Sequence, residues 1–381
     1  MAELNDHRAR SHALLSASSA HRWIHCPMSA TAEATEPDQE TAFSKEGTLA
    51  HEVAEWVASG RSRDTGLDKG SEDGITGEMI ECAESYAEYI HEHVKGASAE
   101  ILLEQRLDFS PWVPEGFGTG DCLILEDRHL TIIDYKYGIG VPVSAENNDQ
   151  MRCYALGALN DYGSLYDIEN VTMCIFQPRI NNVSEWEQTS EELTRWAEND
   201  LKPAAEKAFN GKGGYCAGAW CKFCKHAGKC RELTKVCTKT VDLFGKKRKV
   251  ESLAPFEIDE ILRSFPMIEL WMKRITETAL QRMMNGEAIP GQKLVEGRST
   301  RKWDNPEQVI AELRTDYPES EYMTKPELMS VAALEKSIGK KNVATLVGGH
   351  VVKDPGKIGI APVEDKRPEY KPGGEFENLD P

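Results

Sequence analysis

Two aspartates and a lysine stand where two neighbouring apolar segments of the sequence begin and end. Asp121 precedes the first segment, and Asp134 and Lys136 lie at the end of the second. A short polar turn at residues 126–129 separates the segments, so the sequence predicts a β-hairpin that brings Asp121 close to Asp134. Because side chains two residues apart in a strand share a face, Lys136 is expected beside Asp134. The hairpin would gather three charged groups at one point.

Three charged groups gathered in this way have the chemistry of a metal-dependent hydrolase. Two carboxylates held together repel each other, and a hard divalent cation that prefers oxygen ligands relieves the repulsion. The cation neutralises charge on a phosphoryl oxygen, and the lysine orients an attacking water or helps to deprotonate it. The alternative interpretation is a solvent-facing strand with alternate polar residues, because a D-x-K pattern is short and matches many unrelated strands.

Residues near the hairpin favour the hydrolase interpretation. Gly118 and Gly120 lie close to the first acid. Gln150 and Tyr154 lie four residues apart, on one face of a helix predicted over residues 147–160. This helix directly follows the strand that ends with the second acid, so its polar face is expected to adjoin the charged groups.

His51 and Glu104 are weaker candidates on residue type alone. His51 lies on a helix predicted around "EGTLAHEVAEWVASG", where an isolated histidine is more often a surface or packed residue than a ligand. Glu104 lies on the predicted strand before the hairpin. It is interpreted as an ordinary exposed residue, with a supporting acid at the site as the alternative.

In chain order, the segments "GTLAH", "GTGD", "DYK" and "QMRCY" resemble the motifs of the PD-(D/E)XK nuclease superfamily in its RecB-like exonuclease branch. The match covers about residues 14–235, and the wording around "IIDYKYG" is similar to phage and prophage members. A glycine before Asp121 replaces the family's proline, as is common in this branch. The resemblance implies an active site that depends on Mg²⁺ or Mn²⁺, with His51, Asp121 and Asp134 as metal ligands and Lys136 beside them.

The resemblance also implies further contacts, an activity and a partner. The backbone carbonyl of Tyr135 is expected as an additional metal ligand, and Gln150 and Tyr154 are expected to support the site and contact DNA. The implied activity is hydrolysis of DNA phosphodiesters by a metal-activated water, in an exonuclease that acts on linear ends during phage-type recombination. The implied protein partner is a single-strand annealing protein.

A group of cysteines follows the predicted nuclease core, in the segment "CKFCKHAGKC" at residues 221–230. A C-x2-C turn directs two thiolates at one metal centre, and the third cysteine closes round it. Such a centre needs a fourth ligand. Cys216 or His226 would complete a zinc site, and the distant Cys26 is the other candidate.

The RecB-like branch includes members with an iron–sulfur cluster whose first cysteine lies far upstream of the nuclease core. Cys26, Cys221, Cys224 and Cys230 resemble that arrangement, which implies a 4Fe-4S cluster, with zinc as the alternative. The cluster would tie the N-terminal helix to the segment after the core by closing a long loop. Its expected role is therefore structural.

The composition limits how the chain meets DNA. Sixty-three acids against 45 basic residues give a net charge of -18, which argues against broad, nonspecific coating of nucleic acid. Residues 222–249 hold ten Lys and Arg but only two acids, so this segment is expected to approach phosphates, with a solvated basic loop as the alternative. No apolar run reaches the length of a signal peptide or a membrane crossing, which predicts a cytoplasmic protein without a membrane partner.

The order of predicted elements indicates an α/β fold. Residues 99–178 contain apolar strands and one helix, which predicts a mixed sheet with helical cover. The resemblance implies a restriction-endonuclease-like core. We expect a nuclease domain with its cysteine clasp over residues 1–240, an α-rich accessory region over 241–352, and an extended or disordered tail over 353–381.

Two other functions fit the same sequence. In the first, the protein is a non-catalytic DNA-binding module whose cysteine site and basic segment do the work. In the second, it is a scaffold whose C-terminal helices recruit a recombination or packaging protein. Both leave the acids of the hairpin as surface residues, whereas the nuclease hypothesis requires them to converge.

Overall fold

The computed structural model describes most of the chain. The described residues are 13–37, 42–60, 74–140, 142–244, 254–297, 301–318, 322–324, 327–353, 358–363, 365 and 367–371. The chain divides into two compact units, residues 1–271 and 272–381. The basic run "GKKRKV" at residues 245–250, part of the segment predicted to approach phosphates, lies outside the described residues.

A five-stranded sheet forms the centre of the first unit. In spatial order its strands are β1 (Glu100–Asp108), β2 (Phe117–Glu126), β3 (His129–Tyr135), β4 (Asn170–Gln177) and β5 (Asn182–Thr189). β3 and β4 are parallel, and the other neighbouring pairs are antiparallel. The predicted hairpin therefore forms between β2 and β3, and the mixed sheet of the predicted α/β class is confirmed.

Helices cover both faces of this sheet. They are α1 (Ala20–His25), α2 (Met28–Glu33), α3 (Ala42–Ala58), α4 (Gly77–His93), α5 (Asp149–Tyr166), α6 (Ser190–Trp196) and α7 (Lys202–Phe209), with a π-helical turn at Ala197–Leu201. α5 connects β3 to β4, because parallel neighbours need a crossover connection.

Each face of the sheet has its own apolar core. Successive side chains of a strand point to opposite faces. Leu123 and Leu125 of β2 consequently pack in the core formed with α1, α5, α6 and α7. Cys122 and Ile124 pack in the core formed with α3 and α4. The sheet is thus the middle of three layers.

The cysteine segment follows these layers and is built from short turns. Two 3-10 turns, Ala219–Phe223 and Ala227–Lys229, lead into α8 (Arg231–Phe244), and α9 (Pro255–Met284) follows. Cys221 and Leu233 are buried beside Trp271 of α9 in a small separate core. The boundary between the two units falls within α9.

The second unit combines short helices with short strands. Its elements after α9 are β6 (Gln292–Glu296), β7 (Arg301–Trp303), α10 (Pro306–Leu313), β8 (Met323–Thr324), β9 (Glu327–Leu328), α11 (Val331–Ile338), α12 (Lys340–Leu346), β10 (Val351–Lys353) and β11 (Ile358–Pro362). β7 pairs with β10, β6 with β11, and β8 with β9. Helices α10 to α12 surround a core that includes Trp303 and Leu334.

The helical C-terminal region that the sequence predicts is confirmed, and its described residues also form three two-stranded sheets that the sequence did not predict. Within the tail predicted as extended or disordered from residue 353 lies β11, an extended strand in which Ile360 pairs with Leu294 of β6. The apolar residues of "IGIAP" supply a strand that Pro and Gly around it obscure in the sequence. None of the described helices combines the length and the apolar character that a membrane crossing needs.

Candidate active site

A row of three acids crosses the sheet where β3 ends. In the β2–β3 register Cys122 pairs with Ile133, so Asp121 and Asp134 stand opposite each other one step further along. In the β1–β2 register the residues on either side of Glu104 pair with Gly120 and Cys122, so Glu104 stands opposite Asp121. The row comprises Glu104, Asp121 and Asp134. Like charges directly opposite each other destabilise a sheet, so this row needs compensating positive charge.

Asp121 is fixed by the backbone of the neighbouring strand. Its Oδ2 atom accepts a hydrogen bond from the Tyr135 N–H at 2.7 Å. Tyr135 is therefore part of the site through its amide, while the role of its carbonyl as a metal ligand stays a prediction. The bond closes the end of β3 onto β2 and holds the Asp121 carboxylate at the row.

Lys136 and Gln150 hold Asp134. Lys136 Nζ lies 2.8 Å from Asp134 Oδ2, and the Asp134 side chain is only 3% exposed. Gln150 Nε2 donates to Asp134 Oδ1 at 3.3 Å, and Gln150 Oε1 accepts from Lys136 Nζ at 3.4 Å. The same Nε2 donates to the Tyr154 hydroxyl at 3.0 Å. The expected alignment of Lys136 with Asp134 and of Gln150 with Tyr154 is present in the structure.

The first turn of α5 positions Gln150. Asn148 is the N-cap of α5, and its side-chain oxygen accepts hydrogen bonds from the backbone N–H groups of Gln150 and Met151. At the Tyr154 end of this side-chain network, Gly118 of β2 allows close packing. A Cβ atom on Gly118 would lie 2.8 Å from Cε1 of Tyr154, so the glycine of "GTGD" makes room for the Tyr154 ring.

His51 reaches the row from the opposite layer of the fold. It lies on α3, which packs on the face of the sheet away from α5. His51 Nδ1 is 3.5 Å from Asp121 Oδ1, and the ring contacts Tyr135 edge to face at a centroid distance of 5.4 Å. The side chain of His51 is 34% exposed, so it remains accessible to a ligand.

Glu104 is the functional candidate that sequence reasoning ranked too low. It is half-buried, and its carboxylate lies with ligand atoms of His51 and Asp121 in a group whose members are all within 4.8 Å of one another. Its φ angle is 49°, in the left-handed region that strand residues rarely adopt. A one-residue departure from strand geometry is invisible in sequence, although the register opposite Asp121 was a usable signal.

Electrostatics reinforce the pairing of His51 with Asp121. Burial alone would raise the pKa of Asp121, but the His51 ring, the Lys136 ammonium and the Tyr135 N–H hold it below its ordinary value. Burial alone would lower the pKa of His51, but the hydrogen bond and charge of Asp121, with the charge of Asp134, raise it. The pair therefore favours its charged forms.

The other two acids of the row, Asp134 and Glu104, ionise less readily than free carboxyl groups. Burial raises the pKa of Asp134 against the opposing effect of Lys136, and the charge of Asp121 raises it further. Burial, together with the charge of Asp121, raises the pKa of Glu104 to about 7. Burial acts to lower the pKa of Lys136, but Asp134 and Asp121 raise it, so Lys136 remains an ammonium at neutral pH.

A wide cleft of ≈ 1260 Å³ opens over the row. His51, Glu104, Lys136 and Gln150 line it from the acid side. Trp220, Lys222 and Phe223, from the first turn of the cysteine segment, also line it. The Phe223 side chain is 67% exposed. The cleft thus connects the acid row to an aromatic and basic wall.

The four cysteines of the predicted clasp converge on one small cavity. Cys26, Cys221, Cys224 and Cys230 line a space of ≈ 20 Å³ behind that wall. Cys26 follows directly after α1, so the cavity joins the N-terminal segment to the segment after the core. Among the described residues, the groups of three ligand atoms that lie within 4.8 Å of one another do not include these four cysteines.

Backbone N–H groups point at three of the four sulfur atoms. Cys216 N donates to Cys26 Sγ at 3.3 Å, Gly218 N to Cys221 Sγ at 3.5 Å, and Leu233 N to Cys230 Sγ at 3.5 Å. These donors stabilise negative charge on sulfur, as thiolate ligands require.

The two nearer candidates for the fourth ligand line the same cavity as the four cysteines. The Nδ1 atom of His226 bonds the Glu36 carboxylate at 2.9 Å. Cys216 is exposed and supplies its backbone N–H to the sulfur of Cys26, which is buried.

Burial and crowding make these thiols reluctant to ionise without a positive centre. Burial raises the pKa of Cys26 and of Cys221, and the proximity of Cys230 raises both further. Burial, with the charge of Glu33, raises the pKa of Cys224 to about 12. A bound cation reverses this tendency, because metal coordination deprotonates a thiol.

Comparison with known proteins gives a family but no activity. Residues 12–368 match the family described as "Protein of unknown function (DUF2800)". Because the match spans most of the chain, the chain belongs to this family. Among solved structures the chain is similar to one described as "Crystal structure of SSO0001", with 15% identity and a TM-score of 0.24, over 57% of this chain and 85% of that chain. A TM-score this low carries no argument about fold or function.

Proposed function

We propose that this member of the DUF2800 family is a metal-dependent DNA nuclease with a restriction-endonuclease-like core. The observation that carries the proposal is the row of Glu104, Asp121 and Asp134 on three adjacent strands, with His51 and Lys136 beside it at the wall of a wide cleft. Acids placed opposite one another weaken a sheet, and a divalent cation is the partner that would offset the repulsion.

His51, Glu104 and Asp121 are the residues that would hold the ion. Their donor atoms lie within 4.8 Å of one another, a separation suited to one coordination sphere. Two carboxylates and an imidazole suit Mn²⁺ and accept Mg²⁺. When bound, the ion supplies a Lewis acid for a phosphoryl oxygen and lowers the pKa of a water.

Lys136 and Gln150 position the reacting groups. The raised pKa of Lys136 keeps it protonated, so its ammonium donates hydrogen bonds and stabilises negative charge as the phosphorane develops. Gln150 contacts both Lys136 and Asp134, which fixes the direction of the lysine side chain. Lys136 therefore acts as a donor to the attacking water or to the phosphate rather than as a general base.

The cleft accounts for DNA as substrate in a strongly acidic protein. The net charge of -18 disfavours nonspecific contact, so affinity must come from local groups. Lys222 and the exposed Phe223 stand on the cleft wall, where a basic and an aromatic side chain suit a phosphate and a base. The resemblance to RecB-like nucleases supports an exonuclease in phage-type recombination, acting in the cytoplasm with a single-strand annealing protein as partner.

The cysteine clasp is proposed to hold a 4Fe-4S cluster. The four cysteines line one cavity, and the resemblance to RecB-like members with such a cluster supports this choice, with zinc as the alternative. The backbone donors to Cys26, Cys221 and Cys230 also suit thiolates that share a cluster.

A cleavage assay with matched variants tests the nuclease. Purified protein is incubated with linear single- and double-stranded DNA in Mg²⁺ and in Mn²⁺, beside Asp134→Asn, Lys136→Met and the control Asp127→Asn. Asp127 is an exposed residue of the β2–β3 turn. We expect each site variant to lose about 100-fold or more in rate and the control to match the parent.

Three results separate the nuclease from its rivals. Cleavage by the parent that Asp134→Asn abolishes supports the proposal. DNA left intact by the parent in both metals contradicts it, and retained DNA binding in that case favours the non-catalytic binding module. Equal cleavage by the parent and by Asp134→Asn assigns the activity to a contaminant or to another site.

A further inference from the structure

A second group of metal-ligand side chains lies beside the cleft and shares no residue with the acid row. His21 and His25 belong to α1, and Asp149 is the first residue of α5. One donor atom from each of the three side chains lies within 4.8 Å of the others. His21 Nδ1 is 3.1 Å from Asp149 Oδ2. His21 and Asp149 also line the cleft, which leaves this group open to solutes.

The spacing of the two histidines is a metal-binding spacing. Residues four apart share one face of a helix, and two histidines placed in this way on a helix bind one zinc ion in metalloproteases. The rings of His21 and His25 meet edge to face at a centroid distance of 4.9 Å. His25 also stacks on Trp220 at 4.5 Å, which limits the freedom of its ring. Little side-chain ordering would be needed to bind an ion.

Three of the four ring nitrogens of this group are available within the described part of the chain. Within the described part of the chain, neither nitrogen of His25 nor Nε2 of His21 has a hydrogen-bond partner. A comparable group elsewhere differs in this respect. His93 bonds the Tyr89 carbonyl through Nδ1 and the Glu185 carboxylate through Nε2, so both of its nitrogens are already engaged. The ring nitrogens of His93 are thus already hydrogen-bonded, whereas the His21 group has ring nitrogens that can bind a metal ion.

The donor set selects the class of ion. Two imidazoles with one carboxylate suit Zn²⁺ and similar transition ions, whereas Mg²⁺ takes oxygen ligands. We propose that His21, His25 and Asp149 bind a zinc ion, independently of the ion proposed for the acid row. The ion joins α1, which leads into Cys26, to the first turn of α5, which carries Gln150. It therefore connects the cysteine clasp to the helix that positions the active-site glutamine.

Zinc content of matched variants tests the site. Untagged protein, purified anaerobically with its cysteine centre intact, is dialysed against Zn²⁺ in the presence of excess Mg²⁺, and bound zinc is counted by mass spectrometry. The variants are His21→Asn, His25→Asn and Asp149→Asn, with His91→Asn as the control. His91 is an exposed histidine on α4. We expect each of the three variants to hold one zinc fewer than the parent, and the control to hold the same number.

The outcomes are decisive and independent of nuclease activity. Asp134→Asn, an active-site variant, should retain this zinc whether or not the parent cleaves DNA. Melting curves in zinc-free buffer check that the variants fold, and substitutions of the exposed His21 and His25 should shift stability by no more than about 0.5 kcal/mol. Equal zinc content in the parent, His21→Asn and His25→Asn overturns the proposal. Displacement of the zinc by Mg²⁺ in the parent also overturns it.

Discussion

Replacement of Cys26 by serine tests the link between the N-terminal segment and the segment after the core. Cys26 lies on the same cavity as Cys221, Cys224 and Cys230, although almost the whole nuclease core separates it from them in sequence. If one centre binds all four, Cys26→Ser should lose most of its iron and sulfide. The exposed Cys216 lines the same cavity, and Cys216→Ser is the matched control.

The expected loss of stability follows from the length of the loop that the clasp closes. A cross-link between Cys26 and Cys221 closes roughly 200 residues, for which the chain-entropy model gives about 5 kcal/mol. Other contacts hold the same segments together, because Glu36 pairs with His226 at 2.9 Å and with Lys229 at 2.5 Å. Five kcal/mol is therefore an upper value, and we expect the melting temperature of Cys26→Ser to fall by roughly 10–20 °C at most.

Iron and sulfide assays, visible absorbance and thermal unfolding of anaerobically purified protein measure the effect. Loss of iron and stability in Cys26→Ser, with both retained in Cys216→Ser, supports the four-cysteine cluster. The opposite pattern would refute the reasoning and identify Cys216 as the fourth ligand. A colourless parent that contains zinc but no iron would instead establish the alternative metal.

Three further predictions concern packing, pH and the acid row. In α5, Gly157→Ala would place a Cβ atom 2.7 Å from Leu107 Cβ, which should lower the free energy of unfolding by about 1–3 kcal/mol. The control Gly163→Ala, whose Cβ would have its nearest neighbour at 3.8 Å, should leave the free energy of unfolding unchanged or raise it. Urea unfolding compares the two variants, and equal effects would contradict the close approach at Gly157. Burial opposes ionisation of Glu36, but Lys229 and His226 lower its pKa below the ordinary value of 4.5. The stability that these ion pairs contribute is therefore present above pH 4.5, and it is lost as the pH falls through the lowered pKa of Glu36 in the folded protein. The difference in melting temperature between the parent and Glu36→Gln should therefore hold at about pH 6 and shrink below about pH 4; a difference that grows in acid would reverse the sign. Glu104→Gln removes a carboxylate from the proposed ligand group and should weaken Mn²⁺ binding about 10-fold or more, as measured by calorimetry. The control Glu84→Gln, an exposed substitution on α4, should leave the affinity unchanged. Equal affinities of the two variants would remove Glu104 from the ligand set.

The hairpin and its two aspartates were predictable because local rules determine them. Two apolar runs joined by a short polar turn specify an antiparallel pair, and the alternation of side chains then places Asp121, Asp134 and Lys136 on one face. Gln150 and Tyr154 followed from helical spacing in the same way. Each of these inferences needed only neighbouring residues.

The misses depend on tertiary context. β5 (Asn182–Thr189) was not predicted because its residues are mostly polar, yet every second side chain is half-buried, as an edge strand allows. The convergence of Glu104 on His51 depends on the left-handed backbone at Glu104 and on how α3 packs, neither of which sequence spacing reports. Residue type alone left Cys26, Cys216 and His226 as candidates for the fourth ligand, and only the family resemblance favoured the distant Cys26.

The position of the acid row follows from the layered fold. His51 approaches from the layer of α3, and Gln150 approaches from the layer of α5, on the other face of the sheet. His51 contacts Asp121 and Gln150 contacts Asp134, so side chains from both layers meet neighbouring acids of the row at the point where β3 stops, at Tyr135. Acids in the middle of the sheet would be enclosed on both faces, and a buried unpaired carboxylate is strongly destabilising. At the end of β3 the row has the cleft on one side, which admits a cation and a phosphate. Substitutions inside the strands should therefore reduce stability, and substitutions at the row should change ion binding and catalysis with less effect on folding.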